Sequence, residues 1–104
     1  MIIVTTEYIA GKEITQCLGV ARGNTIRARH VGHDIFAGFQ QIVGGELKGY
    51  TQMITESREE STKRMIENAK EMGADAIVGV RYTSSDVMAG AAEILAYGTA
   101  VKIK

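Results

Sequence analysis

The chain has two histidines, His30 and His33, three positions apart and beside the carboxylate Asp34. Residues three apart share a face wherever the backbone is helical, so both imidazoles there could meet one cation. A zinc-type site needs three or four nitrogen, sulfur or carboxylate ligands. The lone cysteine, Cys17, is the softest further donor, and Asp34 and Asp75 offer carboxylates. His30, His33 and Cys17 are therefore the candidate metal ligands, and a heavy-metal ion is the candidate cofactor. The competing reading makes Asp34 a helix N-cap, its carboxylate accepting bonds from the free N–H groups of the first turn. The histidines are then only the polar lead-in to that helix. A single cysteine excludes an intrachain disulfide and a paired-cysteine metal knuckle.

Other chemistry finds less support. A nucleophilic Cys17 would need a nearby cation or helix N-terminus and a base within reach. It alternates with apolar residues, where a buried core thiol is expected. No nucleophile, base and orienting group stand together, so enzymatic activity is not expected. Arg22, Arg27, Arg29 and the histidines form a local basic patch, but no aromatic residue lies between Tyr8 and Phe36 to stack a base. Twelve basic side chains balance twelve acidic ones, which removes any general pull towards nucleic acid or anionic lipid. The arginines read instead as a solvated rim or as ion-pair partners for a neighbour's acidic face. "GADA", residues 73 to 76, reads as a helix stop and strand entry rather than a phosphate loop. The hydroxyls of Thr5, Thr6 and Thr99 are candidates for a subunit junction.

The elements that must position these residues follow from periodicity. At 104 residues and 45% apolar composition the chain forms one domain, 1–104, with a modest core. Ile2 to Thr5 reads as a first strand. From Glu13 the pattern alternates, with Ile14, Gln16, Leu18 and Val20 on one face and Thr15, Cys17, Gly19 and Ala21 on the other. "RGN", residues 22 to 24, signals a turn, and Ile26 and Ala28 resume a strand, which makes a hairpin. Ile35, Phe36, Phe39, Ile42 and Val43 then form the stripe of a short helix, stopped by Gly44-Gly45. A long helix follows from about Tyr50 to Met72. Its buried side is Met53, Ile54, Ser57, Ser61, Met65, Ala69 and Met72. Glu59–Lys63 and Glu60–Arg64 are pairs four apart, each contributing about 0.2–0.5 kcal/mol. Lys70 and Gly73 close the helix.

A second hairpin ends the chain. Ala76, Val78, Val80 and Tyr82 share a face, "SSDVMAG" turns, and Leu95, Tyr97, Val101 and Ile103 share a face on the return strand. The expected fold is α+β: an antiparallel sheet from two hairpins, packed with one short and one long helix. Gly19, Gly79 and Gly98 interrupt three strands and mark bulges or close approaches. Sheet edges need cover, and the chain has no proline to blunt them, so the subunits are expected to pair edge to edge in a closed ring.

The ordered set "GHDIFAGFQQIVGG", Tyr50, Arg58, "MGADAIVGV" and "YGTAV" resembles the YbjQ-like family of small bacterial and archaeal proteins, labelled as a heavy-metal-binding domain. The resemblance spans nearly the whole chain, from Thr5-Thr6 through Gly11 and Gly19 to Val101. It implies a dodecin-like subunit assembled as a homopentamer, and no established reaction. This chain departs from the family pattern at His30, Glu46 and Thr51. With no secretory leader or membrane span in the sequence, the expectation is a cytoplasmic homo-oligomer that binds a heavy metal or small ligand where subunits meet. The alternative is an assembly protein without ligand chemistry.

Overall fold

The computed structural model describes residues 1–28, 42–43 and 46–104. Six strands and one helix are seen among them: β1 (Ile2–Ile3), β2 (Ile14–Ala28), β3 (Ile42–Val43), β4 (Glu46–Leu47), α1 (Lys48–Glu71), β5 (Ala76–Met88) and β6 (Ala91–Ile103). The main sheet has the order β1-β5-β6-β2, and β3 and β4 form a two-stranded pair. The α+β class stands, but the sheet is mixed, because β1 runs parallel to β5 while β5, β6 and β2 alternate in direction.

The first expected hairpin does not exist. β2 is continuous through "RGN", pairing with β6 from Ile14↔Ile103 to Ala28↔Ala91. Gly23 serves helix packing rather than a turn. A Cβ on it would intrude on Met65 N and Ser61 O and lie 2.7 Å from the Arg64 carbonyl carbon. The missing side chain lets the backbone of α1 sit directly on β2. Ile42 and Val43, expected in the short helix, are strand and pair in antiparallel register with Leu47 and Glu46. Asp34, Ile35, Phe36, Phe39 and Gly44-Gly45 lie outside the described residues.

The long helix forms on the stripe expected of it. Ser57, Ser61, Met65 and Ala69 are buried, with Met53, Ile54 and Met72 half-buried beside them. Gly73 terminates it at φ +84°, with its N–H on the Lys70 carbonyl (3.0 Å) and the Ala74 N–H on Ala69 (3.0 Å). Arg64 pairs with Glu60 at 3.3 Å. Under the helix, Met65 and Ala69 close on Ala21, Ile77, Val80, Ala96 and Ala100. Alanines on the sheet keep this layer thin, in keeping with the close approach at Gly23.

One polar link crosses that core. The buried Ser61 hydroxyl lies 2.9 Å from both the Thr25 hydroxyl and the Ile94 carbonyl oxygen. Having one proton, Ser61 donates to the carbonyl and accepts from Thr25. Ser61→Ala leaves the Thr25 hydroxyl without this partner in a dry layer and removes the side-chain bond to the Ile94 carbonyl. The expected loss is about 1–3 kcal/mol in urea unfolding, whereas the exposed Ser85→Ala should leave the midpoint unchanged.

The described residues span 53 × 25 × 17 Å with a radius of gyration of 16.9 Å, against roughly 13 Å for a compact domain of this length. The length comes from the β5–β6 hairpin, which turns only at Ala89-Gly90 and leaves residues 81–88 exposed. No described helix is long and apolar enough to cross a membrane.

Candidate binding cleft

Three register shifts shape the end of the sheet away from the hairpin tip: in β2 between Ile14 and Gln16 and between Cys17 and Gly19, and in β5 between Val78 and Arg81. The last two are bulges at glycines. Gly19 has φ +117° and Gly79 φ +62°, in the positive-φ region where residues other than glycine are strained. Each bulge reverses side-chain parity. Leu18 and Ala21 therefore pack together under the helix, contrary to simple alternation. Ala76 and Val78 face away from the helix, whereas Val80 faces it and Tyr82 reaches Thr62 at 2.9 Å. β6 has no such break, so Leu95, Tyr97, Val101 and Ile103 share the face opposite α1, as their spacing predicts.

That face has a small core of its own. After β1 the chain continues along β5, with Val4 N–H on Ile77 O (3.0 Å), Val80 N–H on Val4 O (3.0 Å) and Gly79 N–H on Thr6 O (2.8 Å). It then crosses the sheet end, setting Val4 and Ile9 against Ala76, Val78 and Val101. Thr5 and Thr6 thus contribute main-chain carbonyls here; their hydroxyls as junction groups await test. Beside this crossing segment lies an open cleft of about 440 Å³. Its apolar lining is Ile14, Val78 and Val101, and its functional groups are Glu7, Cys17, Arg81 and Thr99.

Arg81 is fixed from behind. One terminal nitrogen, Nη1, donates to the Thr5 carbonyl (2.9 Å) and the Val80 carbonyl (2.9 Å). Neither Arg81 nor Glu7 takes part in an ion pair among the described residues. In register, Arg81 lies opposite Tyr97, which lies opposite Arg22 on its other side. The aromatic ring is therefore flanked by two cations on the open face, an arrangement that favours anions. The basic patch of the sequence is divided: Arg27 turns to α1 and bonds Glu56 at 3.0 Å, Arg22 joins the open face, and Arg29 lies outside the described residues.

Cys17 is exposed and lines the cleft, which corrects the expectation of a core thiol. The bulge at Gly19 turns it away from the helix and opposite Val101. No group of three or more His, Cys, Asp or Glu that could hold a metal exists among the described residues. His30 and His33 lie outside the described residues.

Glu7 and Arg81 were not among the sequence candidates. Gly79 inside a strand was the available signal, since a bulge re-aims the next side chains.

Comparison with known proteins gives a consistent family. A family model described as "Putative heavy-metal-binding", of YbjQ type, matches residues 1–104. A UPF0145 protein of Methanosarcina acetivorans is 63% identical over 103 residues, covering 99% of this chain and 97% of that protein. A UPF0145 protein of Psychromonas ingrahamii is 55% identical over 104 residues, covering 100% and 99%. A crystal structure of a DUF74-family protein of unknown function from Pediococcus pentosaceus aligns with a TM-score of 0.72 at 19% identity. The alignment covers 100% of this chain and 98% of that one, and at this identity the likeness concerns the fold.

Proposed function

We propose, from the premise that this chain belongs to the YbjQ family, that it is a cytoplasmic homo-oligomeric binding module holding a heavy-metal ion or small ligand where copies meet. The observation that carries this reading is Cys17: a soft donor exposed in an open cleft, in no group of three or more His, Cys, Asp or Glu among the described residues. Cys17 and Glu7 supply two donors, and a neighbouring copy supplies the rest, with His30 and His33 as the nitrogen candidates. Thiolate and imidazole together suit zinc and softer ions such as cadmium.

Assembly is supported separately. The subunit is elongated and leaves Val20, Ile26, Val87 and Met88 exposed. The β2 edge is partly closed by its own helix: the Arg22 N–H donates to Asn68 (3.0 Å) and the Asn24 carbonyl accepts from Arg64 (2.7 Å). The β5 edge is covered by the N-terminal segment only as far as Val80. Residues 81–88 have no outer strand among the described residues. They are the edge on which a sister copy docks, and closing such contacts in a ring of five leaves none unpaired.

Native mass spectrometry of untagged, chelator-treated protein titrated with cadmium tests both statements. Five subunits with one retained ion per cleft are expected. Cys17→Ser should lose the ion and keep the ring, and His30→Ala with His33→Ala should weaken retention. A ring that takes up no ion favours the second reading, an assembly protein without ligand chemistry, which the β5 edge at residues 81–88, unpaired among the described residues, supports on its own.

A further inference from the structure

We propose that the cleft beside Cys17 binds an organic zwitterion of amino-acid to dipeptide size, its carboxylate on Arg81 and its ammonium on Glu7. The inference concerns the same cleft as the function proposed above, but requires neither a metal nor a second copy.

Charge is the first argument. Arg81 and Glu7 line one cleft and carry opposite charges, yet neither is ion-paired with the other or with any described group. Charges close enough to neutralise each other would form a pair. These two line the same cleft without pairing, and a ligand with a charge of each sign satisfies both. The second argument is preorganisation. The two main-chain carbonyls hold Arg81 through Nη1 alone, so its other guanidinium N–H groups can meet a planar carboxylate without the side chain having to be ordered first. Tyr97, with Arg22 beyond it, continues the positive strip from Arg81. This cationic character favours a ligand that presents an anion there.

Shape agrees. Besides the charged groups the lining includes the apolar Val78 and Val101, and the Thr99 hydroxyl offers one hydrogen-bonding group. Gly79 also borders the cleft, and a Cβ built on it would meet nothing within 4 Å, so the backbone is open to approach. A volume of about 440 Å³ falls in the range of small-molecule sites, roughly 300–1,000 Å³. A dipeptide with an aliphatic side chain has the matching complement of groups, two terminal charges and an apolar surface.

The test uses the wild-type protein in excess chelator and follows protection of Cys17 from iodoacetamide by leucine, Leu-Leu, N-acetyl-Leu-Leu and Leu-Leu amide. Leucine or Leu-Leu should protect saturably, and each capped form of Leu-Leu should bind more weakly than the free dipeptide by on the order of tenfold or more, the worth of a charge-assisted contact. Arg81→Gln should erase the preference for the free carboxylate while keeping the preference for the free amine, and Glu7→Gln should do the reverse. No protection by leucine or Leu-Leu at millimolar concentration, or equal protection by free and capped dipeptides, overturns the proposal. Because chelator is present, either outcome is independent of metal uptake.

Discussion

Gly23→Ala should destabilise the protein by about 3 kcal/mol, the upper part of the range for overpacking a tight layer. The new methyl meets main-chain atoms of Ser61, Arg64 and Met65 in the middle of α1, which cannot rotate aside as a side chain does. To make room the helix must lift from β2, and this loosens the contact of Met65 and Ala69 with Ala21 and separates Ser61 from Thr25. A domain of this size loses roughly 4–8 °C of melting temperature per kcal/mol, so calorimetry should find a fall above ~12 °C. Gly98→Ala is the comparison. Its Cβ would lie 2.7 Å from Ile77 Cγ2 and 3.0 Å from the Val78 carbonyl oxygen, and the nearer of these is the end of a side chain. A smaller loss, about 1–2 kcal/mol, is expected there. Equal melting temperatures for wild type and Gly23→Ala would mean that the helix does not rest on the strand as described.

Ser84→Pro should convert the ring proposed above to single chains of 11.2 kDa while leaving the subunit folded. Val4 and Thr6 bond to the outer side of β5 at Ile77, Gly79 and Val80. Alternation beyond the bulge then puts the N–H groups of Tyr82 and Ser84 on that same outer side. Proline at 84 removes one of these donors and places a ring on the edge, where strands tolerate proline, without breaking a bond to β6. Light scattering at micromolar concentration reads the mass and circular dichroism the fold. A folded variant that keeps the wild-type mass would exclude the β5 edge as the site of assembly.

Much of the helix was legible because its signals are local. The stripe from Met53 to Met72 and the stop at Gly73 depend on residues three and four apart, and tertiary packing reinforced them. The β5–β6 hairpin and the faces of β6 were readable for the same reason. The strands with bulges were not. Alternation assumes one parity from end to end, and Gly19 and Gly79 each reverse it, so Cys17 was expected in the core and Val78 beside Val80. "RGN" misled because glycine serves a turn and a close backbone approach equally well, and only the position of α1 decides between them. The cleft was half legible: Cys17 stood out as the only thiol, but Glu7 and Arg81 meet through a crossing segment and a bulge that no local spacing encodes. Ile42 and Val43 fitted a helical stripe, yet pair as strand with the residues that lead into α1.

The two apolar clusters lie on opposite sides of the sheet, one beneath α1 and the other beneath Val4 and Ile9. A stretch of chain only a few residues long secures the second, through three main-chain bonds to β5. The same short segment sets Ile3 against the helix-side cluster and gives its Thr5 carbonyl to Arg81, so one strap fastens both faces of the sheet and a wall of the cleft.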